Sequence, residues 1–196
     1  MKYLTLILLI ISVSCYSQDS SFNNKKCDFI TDGTGKSQGL KIKLKTPCEW
    51  DSEEGDMPNY VKNFYYTFSD GSSMSNGLII TKLAKPLTLS GEKELLTPNS
   101  FKKIVASKKG TYITARNIQI DGVSAIEVIF KSNSEISIGH TYVYNIEYYF
   151  FCKKLLVSIG YSLASTNESR SKELFDKYKN LFRTLVNMTS ILSNYE

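Results

Sequence analysis

The sequence holds one histidine, His140, and four cysteines at positions 15, 27, 48 and 152. Hydrolysis by a triad needs a base beside a nucleophile. His140 follows Gly139 at the start of a strand-like stretch, on its apolar-periodic side, and reads as a structural or edge histidine. A zinc site needs about four ligands at workable spacing. One histidine and three separated cysteines beyond the N-terminal run do not supply that set. A nucleophilic Cys152 would need a neighbouring cation or base to lower its thiol pKa. Lys153 and Lys154 are adjacent in sequence, but successive strand residues alternate faces. The acidic run "DSEEGD", 51–56, departs from the D-x-[DN]-x-[DN]-G-x₅-E calcium loop and reads as a solvated loop. No catalytic, cofactor-binding or metal site is expected.

The stretch "DGTGKSQG", 32–39, contains Gly-Thr-Gly-Lys-Ser, the tail of a phosphate-binding loop. The full motif is G-x-x-x-x-G-K-[ST] between a buried strand and a helix. Its first glycine should fall at position 30, which is Ile30. After Ser37 the chain reads "QGLKIKLKTP", where Leu40, Ile42 and Leu44 alternate with Lys41, Lys43 and Lys45. Period two is a strand with one wet face. No helix N-terminus follows to hold phosphate, so no nucleotide is expected and the glycines read as turn residues.

Two further groups concern structure and binding. Cys27 and Cys48 flank that first strand and form a candidate disulfide; three free, partly buried thiols are the alternative. Tyr65, Tyr149 and Phe151 fall on the opposite parity from their core-facing neighbours. If the second helix leaves that face uncovered, they form an exposed aromatic patch and a candidate partner-binding surface; otherwise they are core.

The compartment is read from the N-terminus. Lys2 precedes a nearly unbroken apolar run from Leu4 to Val13, too short to span a bilayer but suited to a signal peptide. Ser17 and Cys15 are small residues at −1 and −3 of a cut before Gln18. The alternative is lipoprotein processing at Cys15, although Ser12 stands where a Leu-like residue is usual. The expected organisation is a signal peptide at 1–17, a flexible segment at 18–37 and one domain at 38–196. Removal of 1–17 takes one lysine and no acid, so the formal net charge falls from +5 to +4. The lysines come as scattered pairs and only Arg116, Arg170 and Arg183 are arginine. This is a solvated surface rather than a nucleic-acid face. Contact with a membrane is expected only if Cys15 is lipidated.

The elements follow from pattern. Strand one is expected at about 39–46, followed by a loop from which Trp50 tucks onto the core. Residues 62–69 and 77–84 read as a hairpin around Asp70-Gly71, and 85–97 as loop. Thr97-Pro98 starts a helix that Gly110 stops. Strands at 111–120 and 123–131 flank Asp121-Gly122, a strong hairpin signal. A long strand at 139–152 turns at Lys153-Lys154 into 155–162. Ser165 and Glu168 suit a capping box before a helix whose Leu174, Phe175, Tyr178, Leu181, Phe182, Leu185 and Val186 recur at helical spacing. Residues 187–192 add an edge strand or finish that helix. The fold class is α+β, a mainly antiparallel sheet packed by helices.

The order of these motifs resembles the PsbP-like domains. "GLKIKLKTPCEW" looks like their opening strand, proline and tryptophan. "NIQIDGVSAIEVIF" is similar to their central hairpin, and "YYFFCKKLLVSIGYS" with the capped helix to their C-terminal half. The resemblance covers about residues 38–192. It implies an α/β/α sandwich around an antiparallel sheet. PsbP-like domains serve as extrinsic subunits of photosystem II, Ran-binding factors and bacterial envelope lipoproteins, mostly binding or assembly modules. The expectation is therefore an exported, periplasmic or extracellular, non-catalytic protein that binds an envelope partner. A small-molecule or lipid carrier is the alternative, and an immunity protein against a secreted toxin is a narrower form of the first reading.

Overall fold

The computed structural model describes residues 22, 25–85, 87–136 and 139–195. The expected signal peptide, its cleavage site and Cys15 lie outside the described residues. Ten strands run β1 Lys26–Ile30, β2 Ile42–Pro47, β3 Asp51–Glu53, β4 Tyr60–Thr67, β5 Ser73–Lys82, β6 Thr111–Ile120, β7 Val123–Ile136, β8 Gly139–Cys152, β9 Leu155–Ser165 and β10 Ser190–Ile191. Among the described residues the helices of more than one turn are α1 Leu89–Leu95, α2 Pro98–Ser107 and α3 Glu168–Asn187.

Seven strands make one antiparallel sheet in the order β3-β4-β5-β9-β8-β7-β6. β6 to β9 are consecutive hairpins, and the last of them closes against β5, with Gly77 opposite Gly160. The turn chemistry explains the meander. Asp121 and Gly122 both take positive φ, 49° and 77°, as do Lys153 and Lys154 at 48° and 65°. Two left-handed residues match the right-handed twist of the flanking strands.

α3 covers the inner face of this sheet. Its seven expected apolar residues are all buried, each contributing about 2 kcal/mol of burial. Phe182 stacks on Tyr161 of β9 with ring centroids 4.6 Å apart. A small sheet, β1-β2-β10, adds Ile42, Leu44 and Ile191 to the same core, with Leu40 just before β2. Trp50 joins it, 7% exposed. α1 and α2 lie on the outer face. There Phe101 and Val105 pack on Ile126, Val128, Phe130 and Tyr149 in a second, smaller core. The result is an α+β sandwich.

Several expectations need correction. The segment 18–37, expected to be flexible, carries β1 at 26–30, paired along its length with β2, so the domain begins before residue 38. Composition hid this, because a strand that covers a partner's edge needs few apolar residues of its own. The acidic run contributes β3, and the expected loop at 85–97 contains α1, whose Thr88 side chain accepts from Gly91 N–H. The cap of α3 is Asn167, accepting from Arg170 N–H, not Ser165, which ends β9. Gly110 is not the left-handed stop after α2; Lys109 takes that conformation, φ 58°. Gly110 instead allows close approach, since a Cβ there would stand 2.9 Å from Val105 Cγ1.

Candidate functional site

The residues with chemical potential are dispersed. Gly35–Ser37 forms one 3-10 turn, and the chain then enters β2 with no helix. The Asp32 carboxylate accepts from Thr34 Oγ1 at 2.7 Å, Thr34 N–H at 2.8 Å and Ser37 Oγ at 3.0 Å. These hydrogen bonds hold its pKa below the usual carboxylate range. Lys36 donates to the Gly55 carbonyl. The loop therefore binds itself, and its lysine reaches β4's neighbourhood rather than a phosphate.

His140 is exposed and meets Tyr142 edge-on, with ring centroids 4.8 Å apart. Cys152 is buried, and burial pushes its thiol pKa up despite Lys153. A raised thiol pKa is the opposite of nucleophile activation. Cys27 and Cys48 are joined in a disulfide, S–S 2.09 Å, linking β1 to the end of β2. In the acidic loop, Glu53 accepts from Asn63 of β4. Among the described residues no group of three His, Cys, Asp or Glu could hold a metal ion.

The structure separates the three aromatic residues that share a parity. Tyr149 and Phe151 are each 9% exposed and do not form a surface. The cover comes from α2 rather than from α3: Phe101 lies over Tyr149 with ring centroids 4.4 Å apart. The Tyr149 hydroxyl donates to the Glu147 carboxylate, and burial first, then Glu147, pushes its pKa up. Tyr65 is half-buried on β4, opposite Ser75. One amphipathic α2 covers only the β6–β8 half of the outer face, which is why residues of one parity have two fates.

A buried ionic cluster was not foreseen from sequence. Glu127 of β7, 1% exposed at its side chain, accepts from Arg116 Nε at 2.8 Å and Nη2 at 3.1 Å. It also accepts from Arg183 of α3, Nη2 at 2.8 Å and Nε at 3.1 Å. Burial works to raise its pKa, but the two guanidiniums outweigh that and hold it low. The one legible signal was a carboxylate inside the apolar run "AIEVIF". Its arginine partners lie 11 residues before it and 56 after, so spacing could not assign them.

The two edges of the large sheet differ. β3 is three residues long, Asp-Ser-Glu, and wholly exposed. Short, charged edge strands resist pairing with other chains. β6 is ten residues long, has Arg116 as its sole charge, and among the described residues pairs on one side only, with β7. Six of its ten residues are exposed. A register shift between Tyr112 and Thr114 leaves Ile113 without a register partner on β7, and it is 47% exposed. A hollow lies beside each face of this edge. The inner one, about 260 Å³, has Ile113, Ile129, Tyr144 and Phe175 at its floor and Lys172, Lys179, Arg183 and the Asp176 carboxylate around it. The outer one, about 730 Å³, is bounded by Lys93, Leu96 and Thr97 and by Asn117, Gln119 and Ser124 of the β6–β7 hairpin.

No family model and no curated protein matches the sequence. Among solved structures, the chain is similar to the cyanobacterial PsbP protein CyanoP of Synechocystis sp. PCC 6803. The two share 14% identity and a TM-score of 0.54, over 89% of this chain and 95% of that one. The fold is PsbP-like. The Ran-binding protein Mog1p of Saccharomyces cerevisiae is also similar, at 11% identity and a TM-score of 0.48, over 85% of this chain and 95% of that one. β6 opens the meander: a helix rather than a strand precedes it, and among the described residues it pairs with β7 alone. Fold alone does not fix activity, and the β6 edge with its two hollows is the candidate site on this example of it.

Proposed function

We propose that this chain is an exported, non-catalytic envelope protein that binds, or helps to assemble, a protein partner. The observation that carries the reading is the contrast between the sheet's edges. β3 is short and acidic, whereas β6 is long, nearly uncharged and open on one side among the described residues. Edge strands without protection are sites of intermolecular pairing. The aromatic residues between sheet and α3 favour a partner over a carried ligand. Tyr161 and Phe182 stack on one another in the middle of that layer, where a carrier would keep a cavity.

The test is a pull-down of the tagged chain from residue 18 out of envelope extract, read by quantitative mass spectrometry. A stoichiometric partner is the expected result. A clean bait, with a small molecule retained in native mass spectra, would replace this reading with the carrier.

A further inference from the structure

We infer that the β6 edge is a strand-addition site for an extended, acidic segment of a partner protein, seated with alternate side chains in the two flanking hollows. The inference rests on the binding-module reading and specifies its mode and ligand chemistry.

Ile120 and Val123 flank a two-residue turn and face each other directly. In such a hairpin the flanking pair exchanges both hydrogen bonds, and bonded and non-bonded pairs alternate along the ladder. Ala115, Asn117 and Gln119 therefore turn their N–H and C=O groups away from β7. Three consecutive outward donor–acceptor pairs make a template for an incoming main chain. Added strands gain affinity from that ladder and specificity from pockets for alternate side chains.

The hollows supply those pockets, one on each face of the edge. The inner one sets the chemistry. Arg116, Arg183, Lys172 and Lys179 share only two carboxylates, Glu127 and Asp176. Each is ion-paired, and the four cations against two carboxylates leave a net excess of two positive charges beside an apolar floor that includes the exposed Ile113. An acidic side chain answers the charge and a neighbouring apolar one the floor. A second copy of this chain is the weaker occupant, because β6 against β6 brings both cationic clusters together.

The probe is a fluorescein-labelled nonapeptide of alternating Glu and Val, titrated by anisotropy, with amide exchange followed by NMR. The expected results are binding that weakens with salt and slowed exchange along 111–120, strongest at Ala115, Asn117 and Gln119. The same peptide N-methylated at alternate residues should not bind, a control that leaves the protein unaltered. Asn117→Pro removes an outward N–H at a position where an edge strand tolerates proline, and should abolish binding without loss of helical circular dichroism. Lys172→Glu with Lys179→Glu should weaken binding about tenfold or more. Equal binding of a Lys–Val peptide, or of the N-methylated peptide, overturns the proposal. So does protection that falls on β4 or β5 instead, or a dimer in sedimentation with β6 already protected. If the pull-down partner is retained by Asn117→Pro, strand addition fails while the binding-module reading stands. If the peptide binds as expected but no partner is captured, the binding-module reading fails instead.

Discussion

Arg183 of α3 and Glu127 of β7 are joined by two hydrogen bonds, 2.8 and 3.1 Å long, that cross from helix to sheet. Arg116 of β6 binds the same carboxylate, so one buried charge ties three elements together. Both arginines reach water, with side chains 55% and 31% exposed, whereas Glu127 does not.

That asymmetry sets the first prediction. Glu127→Gln keeps the shape but removes the charge, and should cost about 2 kcal/mol in urea denaturation. This is below the 3–5 typical of a stranded buried ion, because the released guanidiniums can hydrate. Glu127 has a folded pKa depressed below its ordinary 4.5. Its contribution is thus present above the unfolded value and lost as pH falls through the folded one. Wild type should lose stability below about pH 4.5, and Glu127→Gln should lose less over the same range. Equal acid sensitivity would remove Glu127 from the cause.

The Cys27–Cys48 bridge closes a sequence separation of 21 and holds β1 to β2. A loop of this size is worth about 3 kcal/mol in the chain-entropy account. Reduction, or Cys48→Ser, should lower the unfolding free energy by that amount and the denaturation midpoint with it. Amide exchange should rise first in β1, since its other contacts are few. An unchanged midpoint would show that the N-terminal strand is held by its ladder alone.

Phe101→Ala removes the ring above Tyr149 from the smaller core. The expected cost is about 3–4 kcal/mol, with new binding of an apolar dye as Tyr149 is uncovered. Tyr65→Ala, on the half of the face that α2 leaves bare, should cost under about 1 kcal/mol and bind no dye.

Asp121 serves both ends of the chain's last turn. Its carboxylate accepts from Ile191 N–H at 2.8 Å and from the Tyr195 hydroxyl at 2.9 Å. It also occupies a left-handed position, φ 49°. Asp121→Ala should cost about 2 kcal/mol, from a buried-side hydrogen bond plus left-handed strain. Asp121→Asn, which keeps the conformation and one acceptor, should cost under half of that. Equal losses would assign the effect to charge.

Much of the fold is local and was legible as such. The period-two run Leu40–Leu44, the Asp121-Gly122 and Lys153-Lys154 turns, the Thr97-Pro98 helix start and the apolar stripe of α3 each depend on residues within about ten positions. Each is found where its pattern places it. What spacing could not supply is adjacency between distant segments. That β9 lies against β5, that β1 covers β2, and that Arg116, Glu127 and Arg183 meet are outcomes of sheet closure and helix docking. The same limit governs the candidate site. Tyr65, Tyr149 and Phe151 share a parity, and parity assigns a face, but only the docking of α2 decides how far that face is covered. Likewise "TYITARNIQI" reads as a strand wherever it sits. Its place at the edge of the sheet, with one side unpaired among the described residues and a hollow beside each face, is decided by the order of strands in the assembled sheet, because an edge is a property of neighbours and not of a strand.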